Sequence, residues 1–261
     1  MAKKTLKVWT FLILFFVVIG YFIYAMTNMT EGDPKERCTR VELVVTDSAV
    51  SQFTDRVRLE EQLRSSNLHP QGLLMRDIDV SAIEQELLRN KFIRTVECYK
   101  TNSGMKMGTG KVCIKVSQRV PVIYVLPTNG QGYFVDGEGT VIPNSAYVTN
   151  IPTATGNIDQ KYATNQLAAF GSFLAQNQFW NNQIEQIYVS LNQRKEPVVT
   201  LIPRVGEHTI YLGDISGYEK KLRRMQVFYE QGLKKVGWNK YSKINLEYDN
   251  QVVCTKKKTK N

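Results

Sequence analysis

Two histidines, His69 and His208, are the obvious candidates for proton transfer at neutral pH, and roughly 140 residues separate them. Neither belongs to an H-x-x-x-H or H-x-x-E pattern, so both are expected to be ordinary surface or turn residues. Gly108-Thr109-Gly110-Lys111 has the look of a phosphate loop. That loop, however, needs a glycine five residues before Gly110 and a Ser or Thr after the lysine. Met105 and Val112 hold those places. Gly137-Glu138-Gly139 leads from one strand-like run into another, which leaves no helix N-terminus for a pyrophosphate. With no G-x-S-x-G elbow and no H-E-x-x-H, the expectation is a protein that is not an enzyme. It is expected to have no catalytic residue, cofactor, metal or small-molecule substrate.

The cysteines at 38, 98, 113 and 254 lack the close pairs of zinc sites. Cys98 and Cys113 flank an expected hairpin turn symmetrically and could face one another. Four buried thiols are the favoured alternative, because domains of this size need no covalent staples.

The chain has 261 residues, a formal charge of +10 and a pI near 9.3, a balance that calls for a test of nucleic-acid binding. Seven of those charges lie in two tails, at Lys3, Lys4 and Lys7 and at Lys256, Lys257, Lys258 and Lys260. The remainder carries about +3, so a nucleic-acid partner is not expected. At 43% hydrophobic and 22% charged, the chain is ordinary globular material.

Residues 1–7 form a basic tail before an uncharged stretch whose apolar centre is Val8 to Met26. Nineteen residues of helix span about 28 Å, close to the hydrocarbon core of a bilayer. A transmembrane helix is therefore expected over residues 8–28, with Trp9, Tyr21 and Tyr24 at its interfaces. Lysines before it and mixed charges after it place the N-terminus in the cytoplasm and the body outside it, as a single-pass protein with an extracytoplasmic body. Residues 29–37 read as a spacer.

Beyond the spacer, Cys38–Val45 alternates as a strand and Val57–Ser66 as a helix. Ser81-x-x-Glu84 matches a capping box before a second helix, and 93–100 and 111–118 form a hairpin. This β-α-α-β-β order makes an α+β module. Residues 122–126, 132–136, 140–142, 184–191, 197–202 and 208–212 then read as strands, with helices over 160–177 and 218–236. The glycines of Asp136-Gly-Glu-Gly139 suit a hairpin because they permit positive φ. On the last helix Leu222, Met225, Tyr229 and Leu233 form one stripe, while Lys220, Lys221, Arg223, Arg224, Lys234 and Lys235 are expected on the solvated side. Ile244, Leu246 and Tyr248 alternate as a half-buried terminal strand.

Several ordered motifs resemble one family. They are Gln118-Arg119-Val120-Pro121-Val122, Gly132-Tyr133-Phe134-Val135-Asp136 with Gly139 and Pro143, Leu212-Gly213, and Tyr241-x-x-Ile244-Asn245-Leu246-x-Tyr248-x-Asn250-Gln251-Val252-Val253. Together they resemble the bacterial cell-division protein family FtsQ/DivIB over nearly the whole chain. The resemblance implies a POTRA-like domain over 38–117, an FtsQ-type β domain over 118–256 and a basic tail at 257–261. It also implies a non-enzymatic divisome scaffold at the septum that recruits FtsB-like and FtsL-like bitopic proteins. An end-of-chain strand tends to be a sheet edge able to accept a partner strand. Tyr248, Asn250, Gln251, Val252, Val253 and Cys254 are the expected edge, with Tyr229 and Trp238 flanking it. Two alternatives belong to other classes: a POTRA-containing membrane-anchored chaperone of outer-membrane assembly or secretion, and a cell-wall enzyme.

Overall fold

The computed structural model describes residues 2–29, 35–46, 52–102, 109–145 and 150–257. Residues 30–34 of the expected spacer, the hairpin turn with Met105 and Met107, and the tail beyond Lys257 lie outside the described residues. Helix α1 (Ala2–Met29) leads the chain, with Trp9 and the apolar side chains from Leu12 to Tyr24 exposed. Among the described residues no helix is long and apolar enough to cross a membrane.

The chain divides into two compact units, one of residues 1–45, 56–89 and 95–116, the other of 46–55, 90–94 and 117–261. In the first, β1 (Arg37–Val45), α2 (Arg56–Ser65), α3 (Val80–Leu88), β2 (Ile93–Asn102) and β3 (Thr109–Gln118) follow the expected order. The sheet order is β1-β3-β2, with β1 parallel to β3 and Leu43 opposite Ile114. Leu59 and Leu63 of α2 and Ile83 and Leu87 of α3 are buried at the four-residue spacing read from the sequence. Gln62 Nε2 donates to the Glu86 carbonyl at 2.7 Å and so ties α2 to α3.

The start of α3 differs from the capping box. Asp79 is the N-cap and accepts from the Ala82 N–H at 3.0 Å. Glu84, expected to complete the box, instead accepts from the Cys98 N–H at 2.7 Å. Asp79 is as good a cap as Ser81 and lies two residues nearer the preceding 3₁₀ segment, Met75–Asp77. All four cysteines are free thiols. Burial, and next the Glu84 carboxylate, push the Cys98 thiol up to about 12, and burial raises Cys38. Neither is a nucleophile at neutral pH.

The second unit is built on a nine-stranded sheet. Its strands are β4 (Pro121–Pro127), β5 (Tyr133–Asp136), β6 (Val141–Ile142), β7 (Thr153–Gly156), β8 (Ile184–Leu191), β9 (Pro197–Pro203), β10 (Thr209–Gly213), β11 (Tyr241–Asn245) and β12 (Val253–Lys256). They lie in the order β12-β11-β10-β9-β8-β7-β4-β5-β6. Strand β7 was not expected from the sequence, yet it pairs in parallel with both β4 and β8. Gly156 ends it at φ +105°, where an added Cβ would collide with the Val189 carbonyl. In the β5–β6 hairpin Gly139 alone of the two glycines takes positive φ, at +81°. Asp136 organises that turn through the Glu138 and Thr140 N–H groups and pairs with Arg119 at 2.8 Å.

Helix α4 spans residues 160–176 with a π-helical turn at Ala163–Leu167, and a short α5 (Gln178–Gln183) follows. Helix α6 spans 218–236, with a second π turn at Tyr229–Leu233. The α4 residues Leu167, Phe170 and Leu174 share one hydrophobic cluster with Leu222, Met225, Tyr229 and Leu233 of α6 and with Ile187, Val199, Leu201, Ile210 and Ile244 of the sheet.

The cap assignment predicts that Asp79→Ala lowers stability by about 1 kcal/mol, read as a fall in thermal midpoint, whereas Ser81→Ala leaves it nearly unchanged.

Candidate functional site

Strand β12 is the outermost strand of the nine-stranded sheet. It runs antiparallel to β11, with Thr255 opposite Lys243, Cys254 opposite Ile244 and Val253 opposite Asn245. The direction of its main-chain groups follows from two hydrogen bonds. The Lys257 N–H donates to the Lys240 carbonyl at 3.0 Å, so the amides of Val253, Thr255 and Lys257 face β11. The Leu246 N–H donates to the Tyr211 carbonyl at 2.9 Å, which turns 244 and 246 toward β10 and 243 and 245 toward β12. Both put the N–H and C=O of Cys254 and Lys256 on the outer side. Among the described residues no strand pairs with that side.

Side chains alternate around the same backbone. Val253 is 45% exposed, whereas Cys254 and Val252 pack against the core cluster. Burial raises the Cys254 thiol, which keeps it protonated at neutral pH. The ion pair of Lys257 with Glu207 and the 3.0 Å bond to Lys240 hold the C-terminal end of the strand.

The expected site residues therefore separate into three groups. Val253 and Cys254 lie on the edge strand, and Val252 directly precedes it. Tyr248, Asn250 and Gln251 lie on the turn between β11 and β12, not on the edge. The terminal strand stops at Asn245, whose side-chain oxygen accepts from the Glu247 N–H at 2.9 Å and diverts the chain. Leu246 stays buried, Tyr248 is turned out to 54% exposure and Asn250 takes φ +58°. Tyr229 and Trp238 form the third group. Tyr229 does not flank a surface, because it is 1% exposed within the core cluster. Its hydroxyl lies 2.8 Å from His208 Nε2, and its ring packs against Trp180, at 5.9 Å between centroids, and Trp238, at 5.0 Å. Trp238 is half-buried.

His208, expected at the surface, is also buried, at 2% exposure. Its Nδ1 has no hydrogen-bond partner among the described residues. Burial pushes the imidazole below its ordinary value, with the Trp238 backbone opposing the shift, and burial pushes the Tyr229 hydroxyl upward. The ring is therefore held neutral.

Lys256 and Arg224 were read from the sequence only as charges, of the tail and of the solvated side of the last helix, and not as site residues. Arg224, expected on the solvated side of α6, instead donates from Nη1 to the Tyr248 carbonyl at 2.8 Å and from Nη2 to the Leu246 carbonyl at 2.9 Å. Its place one residue before buried Met225 and four before half-buried Phe228 is the signal that could have found it. Lys221 likewise donates to the Leu212 and Asp214 carbonyls, at 3.0 and 2.6 Å.

A cleft of about 1190 Å³ opens elsewhere in this unit, lined among others by Tyr162, Asn165, Asn192, Arg194, Asp214 and Glu247. None of the expected site residues lines it. No group of three or more His, Cys, Asp or Glu able to hold a metal occurs among the described residues.

Comparison with known families decides what the sheet belongs to. The family model described as FtsQ/DivIB, C-terminal related, matches residues 120–255. The chain belongs to the FtsQ/DivIB-related family. A POTRA-like domain model matches residues 36–117 of this FtsQ/DivIB-related chain. No curated protein matches the chain. Family membership carries a role in cell division and places the chain among division scaffolds, a family that is not enzymatic.

Because His208 is held neutral inside, the unfolded chain takes up a proton there before the folded one does. Stability should be flat in this contribution above the ordinary histidine value of about 6.5 and fall as pH drops below it. His208→Gln, which can still meet the Tyr229 hydroxyl, should flatten the decline between pH 7 and 5 in urea unfolding. His69 contributes equally to both proteins.

Proposed function

We propose that this chain is a bitopic scaffold of the divisome that recruits FtsB-like and FtsL-like partners by strand addition to β12. Anchoring is assigned to α1: residues 1–7 lie in the cytoplasm, residues 8–28 span the cell inner membrane and the body stands in the periplasm at the septum. The apolar run from Val8 to Met26 and the lysines before it support that orientation. The module over 38–117 and the β domain over 118–256 divide the work of septal placement and partner capture.

One observation carries the recruitment reading. The main-chain groups of Cys254 and Lys256 point away from the sheet and, among the described residues, have no strand beside them. An extended partner segment would gain ladder hydrogen bonds there, and its alternate side chains would meet Val253 and Thr255 on one face and half-buried Phe228 and Tyr241 on the other.

Lys256→Pro deletes an outward donor at an exposed position while leaving the amides that bond β11 intact. Loss of one such bond is expected to weaken binding of the co-purified FtsB-like and FtsL-like pair about tenfold. Lys256→Ala removes the charge alone and should bind nearly as the wild type does. In cells depleted of the native chain, the Pro variant should leave filaments with few septa. Equal affinity of the Pro and Ala variants, with unchanged thermal midpoints, would rule out strand addition at this edge.

A further inference from the structure

Between Asn245 and Val253 the chain leaves the sheet for seven residues and then returns as its outermost strand. A reversal of that length has many conformations, and a four-residue edge strand has few ladder bonds with which to select one. What fixes it is a side chain from the helix beneath. The guanidinium of Arg224 reaches from α6 with both terminal nitrogens, one to the Leu246 carbonyl and one to the Tyr248 carbonyl. These two carbonyls open the reversal. Leu246 is already bound to β10 through its own N–H, so the fork extends the register of the sheet core two residues into the turn.

We infer that Arg224 is a positioning residue for partner docking: it holds the β11–β12 reversal so that β12 presents its outward amides in one register. The inference rests on the strand-addition reading and names the part of the fold that prepares that edge. A planar guanidinium suits the task, since its two donors have fixed spacing and stay charged, whereas a lysine ammonium reaches one carbonyl at a time.

The same geometry separates this role from bulk stability. The stem of Arg224 is half-buried, but its Nε is buried and has no hydrogen-bond partner among the described residues. Replacing the head therefore removes an uncompensated polar atom together with the fork. Arg224→Met keeps the apolar stem and should lower the thermal midpoint little, while releasing the turn. Arg224→Lys keeps the charge and also loses the fork.

The test uses the full-length chain in detergent micelles, with amide hydrogen exchange, thermal unfolding and affinity for co-expressed FtsB-like and FtsL-like proteins measured on the same samples. Both variants are expected to raise exchange across residues 246–256 by about tenfold or more and to leave β9 and β10 unchanged. Affinity should fall about tenfold with the midpoint nearly constant. Unchanged exchange in 246–256 overturns the inference. Raised exchange with wild-type affinity also overturns it where Lys256→Pro still weakens binding about tenfold, and the edge reading then survives alone. Wild-type affinity in the Arg224 variants and in Lys256→Pro together overturns the edge reading and this inference with it. Should Arg224→Met fail to fold, Arg224→Lys carries the comparison.

Discussion

A sheet that does not close into a barrel leaves two rows of main-chain donors and acceptors without a strand to bind, and the nine-stranded sheet has to manage both. At one end the solution is brevity: β6 is two residues long, Val141 and Ile142, so little of it can template another chain. At the other end β12 offers four residues, and the devices that usually blunt an edge are sparse. Lys256 is charged, and a bulge on β11 between Tyr241 and Lys243 twists the pair, yet Val253 stands exposed and no proline interrupts the strand. The rest of this unit is consistent with keeping that edge both open and ordered. Strand β11 is buried at Ile244 and runs parallel to β10, which sinks the penultimate strand into the core. Only the final strand is left outside.

Order at the edge comes from below. Tyr229 is a long side chain with one polar atom, and the structure satisfies that atom internally at His208 while the ring meets Trp180, Phe179 and Trp238. A buried hydroxyl of this kind is worth having only when its partner is fixed, because a vacancy would cost the full desolvation of the group. The pair therefore restrains β10, where His208 directly precedes the strand, against α6. The residues that follow α6, Gly237 to Lys240, lead into β11. Polar and apolar contacts here serve the same end, a rigid platform for a strand that, among the described residues, has a neighbour on one side only.

Much of this was legible in the sequence. The β-α-α-β-β order, the stripe Leu222–Met225–Tyr229–Leu233 and the strands 184–191 and 197–202 rest on periodicities of two and 3.6 that burial enforces directly. The failures have physical reasons. Strand β7 reads Thr-Ala-Thr-Gly, too short and too small in its side chains to signal a strand. It is held by parallel ladders on both sides, and those partners are distant in sequence. The cap at Asp79 and the box at Ser81 are near-equivalent locally, and Glu84 was claimed by the Cys98 amide across the fold. Tyr248, Asn250 and Gln251 look like strand continuation by alternation alone, but Asn245 caps its own strand with an Asx turn. Tyr229 was correctly placed on the buried stripe and wrongly given to a surface, because the sequence does not reveal that a histidine waits beneath it.

Cys254 shows why the candidate site is hard to read from side chains at all. Its thiol packs inward against the core cluster while its amide points outward, so one residue serves two sides of the fold through different atoms. Side-chain identity at such a position is governed by packing, whereas partner capture depends on a main-chain group that every residue but proline carries. The backbone supplies the bonds at an edge of this kind. Selectivity in the proposed strand addition would then come from neighbours that the alternation places beside the added strand, Val253 and Thr255 on the outer face and Phe228 and Tyr241 on the inner one. In the strand addition proposed above, a division of labour between anonymous main-chain donors and a few flanking side chains would let the docking strand be recognised by its pattern. It also explains why the residues that orient the edge, and not those that line it, form the hydrogen bonds most visible in the structure.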